Sequence, residues 1–161
     1  MKIAIANDHG GAGLKKLLQE RIESQGHTVV NLGTDSPEIV RYPLYAVKAG
    51  KMVRHGDVDR AILICSTGIG MSIIANKQKG VRAALCTDSY MAKMTRKHND
   101  TNVLCLGGKI TGEDLAWDIC DVWLSTEFEG GRHCISLGII SEVEDATLSE
   151  EDWTPPKGKV Y

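Results

Sequence analysis

A cysteine that directly follows a short apolar run is the first residue of this sequence with an evident chemical use. Residues 61–64 predict a strand buried on both faces, and the next residue is Cys65. Residues 66–70 form a turn of small side chains, after which Met71 begins a helical pattern. Free backbone N–H groups at such a turn favour anions, including a thiolate. Since a thiol of pKa about 8.5 is only about 3% ionised at pH 7, this setting would raise its reactivity. The alternative interpretation is a small buried hydrophobe at the end of a core strand.

Other polar residues follow predicted strands in the same way. Asp8 and His9 come after a strand at residues 3–7, and Asp88 follows a strand at residues 81–86. The carboxyl ends of parallel strands meet at one edge of a sheet, where ligands bind near a switch in strand order. We therefore expect one edge to hold the residues that follow strands: Asp8, His9, Cys65, Thr67, Asp88 and Gly107.

Strands and helices alternate along the chain. Strands are predicted at residues 3–7, 28–32, 61–64, 81–86 and 102–106, with a helical pattern after each. This alternation favours an α/β fold with a parallel sheet covered on both faces. Thr111 and Asp114 resemble a capping box for the fifth helix. Two regions are expected: a domain over residues 1–146 and a polar, extended segment over residues 147–161.

Composition limits the class of protein. The 161 residues suit one domain, and a formal net charge of −2 gives no electrostatic support for nucleic-acid binding. No apolar run approaches the roughly 18 residues that span a membrane, and the first strand is too brief for a signal peptide. Five cysteines without a C-x-x-C pair indicate neither a disulfide framework nor a zinc site. The expected compartment is therefore the reducing cytoplasm.

Several phosphate-binding classes are excluded by missing residues. Gly68 and Gly70 begin a dinucleotide fingerprint, but its third glycine is absent and the turn follows the third strand rather than the first. The sequence contains no GxxxxGK[ST] motif, which excludes a P-loop protein. Met71 stands where a cysteine-dependent phosphatase needs arginine, and Cys65 stands where a phospho-receiver domain needs aspartate.

With these residues assembled, the chain resembles the ribose-5-phosphate isomerase B family over about residues 1–146. The resemblance is carried by DHGG at 8–11, YP at 42–43, CSTGIGMS at 65–72, ANK at 75–77, RAA at 82–84, HNDTNV at 98–103 and EGGRH at 129–133. This family also contains galactose-6-phosphate isomerase subunits and some tetrose-phosphate isomerases. The resemblance implies a single-domain, Rossmann-like three-layer α/β sandwich with a five-stranded parallel sheet.

The resemblance further implies an aldose–ketose isomerase that acts on a phosphorylated sugar through a cis-enediolate, without metal or organic cofactor. Ribose 5-phosphate, converted to ribulose 5-phosphate, is the expected substrate. Cys65 would be the base that moves a proton between C1 and C2. Thr67 and the N–H groups of residues 68–72 would hold the developing oxyanion. His98, with Asp8, would open the sugar ring by general acid–base catalysis.

The same resemblance implies the residues that bind the substrate. Tyr42 and Asn99 would contact sugar oxygens, whereas the phosphate would meet His9, Arg132 and, in place of the family's usual arginine, Lys109. The full expected binding set is His9, Tyr42, Ser66, Gly68, Gly70, Ser72, Asn99, Lys109 and Arg132. Members of the family form homodimers, often paired into tetramers, whose sites are built from both chains.

Three positions depart from the family pattern. Ser136 stands where a second phosphate-binding arginine is usual, Lys109 lacks the bidentate fork of arginine, and Ser66 replaces a common glycine. A hydrogen bond to a charged group contributes roughly 1.5–3 kcal/mol, so the missing arginine would weaken phosphate binding about ten-fold or more. The site could favour a four- or six-carbon sugar phosphate, or Lys157 and Lys159 could compensate.

Two further hypotheses remain open from the sequence. One is a non-catalytic phosphosugar-binding subunit on the same fold, against which the joint presence of Cys65, Thr67 and His98 argues. The other, weaker, is a nucleotide-binding domain.

Overall fold

Five parallel strands form the centre of the computed structural model, which describes residues 1–158. They are β1 (Lys2–Asn7), β2 (Thr28–Asn31), β3 (Arg60–Cys65), β4 (Ala83–Leu85) and β5 (Val103–Gly107). Their order in the sheet is β2-β1-β3-β5-β4, and every neighbouring pair is parallel. Because the chain crosses from β1 to β2 in one direction and then to β3 in the other, strand order switches between β1 and β3. The α/β class predicted from alternation is confirmed.

Six helices accompany this sheet, and all but the last pack on its two faces. They are α1 (Ala12–Ser24), α2 (Tyr42–Arg54), α3 (Ile69–Ala75), α4 (Ser89–Asn99), α5 (Glu113–Ser125) and α6 (His133–Thr147), and a short 3₁₀ turn spans His9–Gly11. Pro43 lies in the first turn of α2, where its missing N–H costs nothing. Asp88 caps α4, because its Oδ1 accepts a hydrogen bond of 2.8 Å from the N–H of Met91.

The capping box predicted for α5 is wrong. The helix begins at Glu113 with Gly112 as its N-cap, and no side chain caps it. Thr111 belongs to the tight turn after β5, where its N–H donates to the carbonyl of Gly107 at 2.9 Å. Its side chain therefore precedes the first turn of the helix.

Alternating residues of the central strands build two cores. Large aliphatic side chains such as Ile62 and Leu104 pack against α1 and α5 on one face. The other face carries smaller residues, including Ala4 and Ala61, beneath α2 and α3. Small side chains let these two helices approach the sheet closely. Cys65 belongs to this second face, so its side chain is directed towards α2 and α3.

The edge strand β4 is shorter than the predicted 81–86. Two asparagine side chains occupy the backbone where the strand would begin: the N–H of Arg82 donates to Asn102 Oδ1 at 2.9 Å, and the N–H of Ala83 donates to Asn76 Oδ1 at 2.8 Å. The Arg82 carbonyl still accepts a hydrogen bond of 3.2 Å from the N–H of Val103, and the register with β5 begins at Ala83.

Beyond α6 the chain contains no further helix or strand up to residue 158. Within residues 1–158, none of the helices combines the length and the apolar character that a membrane crossing requires.

Candidate active site

Cys65 is the last residue of β3, at the carboxyl edge beside the switch in strand order. Asp8 follows the neighbouring β1 at the same edge, and its N–H donates to the carbonyl of Ile64 at 3.2 Å. The turn after β5 joins this group, since Gly108 N–H donates to the Cys65 carbonyl at 2.8 Å. The loops after β1, β3 and β5 thus meet at the position where ligands bind in such sheets.

The thiol of Cys65 is enclosed and accepts one backbone hydrogen bond. The residue is 5% exposed, and its Sγ lies 3.2 Å from the N–H of Gly68. Gly68 has φ +78°, and a Cβ there would lie 2.5 Å from Leu85 Cδ1 and 2.9 Å from the backbone carbon of Leu106. Only glycine meets both conditions, so the glycine at this position is what allows an N–H to point at the sulfur.

The backbone N–H groups of residues 68–72 do not all remain available to a ligand. Gly68 donates to the sulfur, and Ser72 donates to the Gly68 carbonyl at 3.0 Å. Ile69 N–H makes a long 3.4 Å contact with Thr67 Oγ1. Gly70 and Met71 donate to nothing within residues 1–158. Among these N–H groups, those of Gly70 and Met71 are the ones without an acceptor in the described chain, and the binding roles predicted for Gly68, Gly70 and Ser72 stay predictions.

Asp8 and Ser66 converge on the backbone of Gly10. Asp8 Oδ1 accepts a hydrogen bond of 2.8 Å from the Gly10 N–H, which caps the 3₁₀ turn. A Cβ added to Gly10 would lie 2.5 Å from Ser66 Oγ and 3.2 Å from the same Asp8 oxygen. The serine that departs from the family pattern therefore lies against the Asp8 loop.

Tyr42 and His9 border a cavity of about 620 Å³ next to this edge. The ring of Tyr42 packs on Gly70, where a Cβ would lie 2.7 Å from Tyr42 Cζ. His9 Nδ1 accepts a 3.4 Å hydrogen bond from the N–H of Val40. Most of the lining is apolar, and it also includes Asp8 and Trp153. Tyr42 therefore separates this cavity from the turn after Cys65, and Cys65 itself does not line the cavity.

Two further predicted residues lie at the same edge with exposed side chains. Thr67 is exposed in the turn after Cys65. Lys109 is exposed as well, and its N–H donates to the Ser66 carbonyl at 3.1 Å.

The remaining predicted residues lie at the opposite edge of the sheet. His98 and Asn99 end α4, and the Asn99 carbonyl accepts a hydrogen bond of 3.0 Å from Arg82, just before β4 begins. Arg132 precedes α6 in a segment held to the end of α4, where Glu129 N–H donates to the Lys97 carbonyl at 3.1 Å. The four residue steps of β5 separate these levels by about 13 Å. Within one chain, these three residues therefore do not join Cys65.

His98 contacts His133, a residue that the sequence analysis named only as part of the motif EGGRH at 129–133. Its ring stacks on that of His133, with centroids 4.2 Å apart and planes inclined by 15°. Glu129 adds a carboxylate, and one ligand atom from each of the three residues lies within 4.8 Å of the others. Nearly parallel rings direct their nitrogen lone pairs alongside each other, whereas a tetrahedral zinc site needs lone pairs that converge.

The other buried thiols are not suited to act as thiolates at neutral pH. Burial raises the pKa of Cys86 to about 12, and it also raises the pKa of Cys105 and of Cys120. None of the three accepts a backbone hydrogen bond like that of Cys65 within the part of the chain that the structure describes. Their role is therefore packing, as predicted for small apolar side chains in strands and helices.

Comparison with known proteins agrees with this geometry. The family model described as Ribose/Galactose Isomerase matches residues 3–140. Ribose-5-phosphate isomerase B of Escherichia coli is 44% identical over 89% of this chain and 96% of its own length. A D-erythrulose-4-phosphate isomerase of Pectobacterium atrosepticum is 40% identical over 81% of this chain and 87% of that protein. A solved ribose-5-phosphate isomerase B of Clostridium thermocellum superposes with a TM-score of 0.89 at 49% identity, covering 91% of this chain and 99% of that one.

The fold and these matches define a sugar-phosphate isomerase. Enzymes of this class are intramolecular oxidoreductases. The chain belongs to the Ribose/Galactose Isomerase family.

Proposed function

We propose that the protein converts ribose 5-phosphate to ribulose 5-phosphate, with Cys65 as the catalytic base. The thiolate removes the proton from C2 of the open-chain aldose, which leaves a cis-enediolate. The resulting thiol then returns that proton to C1, while the proton of the C2 hydroxyl passes to O1. The observation that carries this proposal is the buried Cys65 Sγ held 3.2 Å from the Gly68 N–H.

The turn after Cys65 supplies what this reaction requires. A hydrogen bond from Gly68 favours the thiolate over the thiol. The N–H of Gly70 has no partner in the described chain and Gly70 is partly exposed, so this donor is available to the oxyanion that develops on the sugar, whereas Met71 is fully buried. Removing one such donor in other enzymes costs about 10²–10³ in turnover, so this N–H would supply a substantial part of the catalytic effect. We assign Thr67 to the same oxyanion and Tyr42 to a sugar hydroxyl.

We infer that a second copy of the chain completes each site. His98, Asn99 and Arg132 lie about 13 Å from the Cys65 edge along the sheet and cannot reach it within one chain. The neighbouring helix α6 has no buried residue, and it exposes more than half of Ile135, Ile139 and Val143. An apolar stripe of this kind is typical of an association surface. In the resulting homodimer, or in a tetramer of two dimers, His98 of one chain would open the sugar ring at the other chain's Cys65.

Phosphate binding and cellular setting follow from the same assignment. His9 and Lys109 of one chain, with Arg132 of the other, are our proposed phosphate ligands. The free state of all five cysteines favours the reducing cytoplasm. A role in pentose phosphate metabolism would follow from ribose 5-phosphate as the substrate.

Replacement of Cys65 tests the assignment of the base. The Cys65→Ala variant should lose about 10²–10⁴ in kcat for ribose 5-phosphate, the range typical of a removed acid–base group, while its unfolding temperature stays close to wild type. Cys134→Ala is the matched control, because that thiol is exposed on α6. Near wild-type turnover in Cys65→Ala would remove this residue as the base.

Mixed oligomers test the shared site. Co-expressed Cys65→Ala and His98→Ala chains form heterodimers in which one of the two sites has both residues intact. Random pairing should then restore about a quarter of wild-type activity, although each variant alone is inactive. If the sites were complete within one chain, the mixture would stay as inactive as its components.

A four-carbon substrate is the second candidate. Ser136 and Lys109 alter the phosphate contacts that the family pattern predicts, and one relative is a D-erythrulose-4-phosphate isomerase. The kcat/KM values of the purified chain on four-, five- and six-carbon aldose phosphates distinguish these substrates. Any turnover by the single purified chain would also exclude a non-catalytic binding subunit. Lys157 is exposed in the final segment, and Lys159, the other lysine considered for compensation, lies outside the described residues.

A further inference from the structure

The link between α5 and α6 is fastened to the last turn of α4. On its α5 side, the Glu129 N–H donates to the Lys97 carbonyl at 3.1 Å, and the Glu129 carboxylate lies 3.5 Å from Lys97 Nζ. A tight turn follows, in which the N–H of His133 donates to the Gly130 carbonyl at 3.2 Å. The first residue of α6 is therefore held in a defined place against the end of α4.

The ring of His133 limits how the ring of His98 can turn. The two imidazoles are both half-buried, and they stack with centroids 4.2 Å apart and planes inclined by only 15°. The χ2 torsion of a histidine has broad preferences, so an imidazole in the last turn of a helix can adopt several orientations. A stacked ring cannot turn about χ2 without driving its edge into its neighbour. The orientation of His98 is therefore set by His133.

Ring opening is the step of the proposed reaction that depends on this orientation. When the furanose form of ribose 5-phosphate opens, the C1–O4 bond breaks and C1 becomes the aldehyde. One proton leaves the C1 hydroxyl and one reaches O4, and these transfers are assigned to His98 of one chain with Asp8 of the other. A group that transfers a proton must lie about 2.6–3.2 Å from the reacting oxygen. Since a misplacement of about 1 Å can cost about 10²-fold in rate, a rotated imidazole would be a poor catalyst.

We propose that His133 is a positioning residue for ring opening, whose imidazole holds that of His98 in the orientation that transfers a proton to the cyclic sugar. This inference rests on the proposed function, and it gives a role to a residue that has none there. His133 acts through the face of its ring. Within residues 1–158 that ring stacks on His98 and its nitrogens form no hydrogen bond.

Three replacements of His133 distinguish the ring face from the ring nitrogens. His133→Ala should lower kcat/KM for ribose 5-phosphate by about ten-fold to a hundred-fold, because His98 is then free to turn. His133→Phe keeps a flat ring and should stay within about three-fold of wild type. His133→Asn keeps a polar group without the ring face and should resemble His133→Ala. The opposite order, with Asn active and Phe impaired, would overturn the positioning role. His55→Ala is the matched control, since it removes an exposed imidazole at the end of α2.

A sugar phosphate that cannot cyclise isolates the ring-opening step. Ribose 5-phosphate closes through its free O4, whereas erythrose 4-phosphate carries its phosphate on O4 and stays open. His133→Ala should therefore change kcat/KM for erythrose 4-phosphate by less than about two-fold. The linear acid 5-phosphoribonate, which resembles the open chain, should inhibit this variant and wild type with equal Ki. This inhibitor keeps the test decisive if the wild-type chain does not accept the four-carbon sugar.

The outcomes also separate this inference from the proposed function. If His133 only supported the fold, or if it bound the phosphate, His133→Ala would impair both sugars and weaken the inhibitor in proportion, which would overturn the positioning role. Wild-type kcat/KM for ribose 5-phosphate in His133→Ala would overturn it as well and leave the proposed function intact. A wild-type chain without turnover of ribose 5-phosphate would overturn both.

Discussion

The loss of folding stability caused by Gly68→Ala can be derived directly from the structure. Two independent penalties apply at this position. Its φ of +78° is a left-handed conformation that costs an L-residue roughly 1–2 kcal/mol. The new methyl would also lie 2.5 Å from Leu85 Cδ1 and 2.9 Å from the Leu106 backbone, a degree of overpacking that costs about 1–3 kcal/mol. The side chain of Leu85 can turn away, but β5 lies inside the sheet and cannot.

Gly26→Ala isolates the second penalty. Gly26 has φ +83°, yet a Cβ there would meet no atom within 4 Å. Both variants lose the same freedom in the unfolded chain, so this contribution cancels between them. We expect Gly68→Ala to be less stable than Gly26→Ala by about 1–3 kcal/mol, because the two variants differ only in the overpacking penalty. For a chain of this size, that corresponds to an unfolding temperature lower by roughly 2–12 °C.

Thermal unfolding and turnover should be measured on the same preparations. In Gly68→Ala, displacement of the N–H from Cys65 Sγ should also lower kcat, whereas Gly26→Ala should retain it. Equal unfolding temperatures in the two variants would refute the argument from close packing. Normal turnover in a destabilised Gly68→Ala would refute the role of this hydrogen bond in preparing the thiolate.

Two further predictions concern the buried core. Thr101→Val should lower the free energy of unfolding by about 1–3 kcal/mol in a denaturant titration, because the buried Trp123 Nε1 would lose its 2.9 Å hydrogen bond; Thr101→Ser, which keeps the hydroxyl, should retain most of the stability. Stability should also fall above pH 9, because burial raises the thiol pKa values in the folded state and only the unfolded chain then releases these protons. Each thiol lowers the free energy of unfolding by up to about 1.4 kcal/mol per pH unit. The free energy of unfolding should therefore be measured between pH 8 and pH 10. If it does not fall above pH 9, the raised pKa values of Cys86, Cys105 and Cys120 would be contradicted.

The fold could be predicted from the sequence because the local patterns of its segments match the order of elements in the sheet. Buried parallel strands appear as continuous apolar runs, and each is followed by a helical period, so the order of elements is visible in the residues. One difference is the length of β4. At its start the N–H groups of Arg82 and Ala83 donate to the side chains of Asn102 and Asn76, and no pattern within residues 81–86 reports these contacts.

The candidate site was predictable in part for a related reason. Residues that follow strands, such as Cys65 and Asp8, are assigned to one edge by topology alone. The same topology assigns the end of α4, with His98, to the opposite edge, because a helix that connects two parallel strands runs back across the sheet. Trp153 left the weakest signal, a single aromatic residue in a polar segment, because its contact with the cavity depends on ion pairs about one hundred residues apart in sequence.

The segment at residues 149–153 is attached in a way that has an evolutionary consequence. The carboxylates of Glu150 and Asp152 contact basic side chains on the surface of α2 and next to α3, and no core cluster includes residues 149–153. Exposed ion pairs contribute little to folding, so substitutions in this segment are nearly neutral for stability. Mutations can therefore place new residues against the cavity that Trp153 lines while Cys65 and the sheet remain unchanged. Descendants of this chain could change the lining of this cavity without passing through an unstable ancestor.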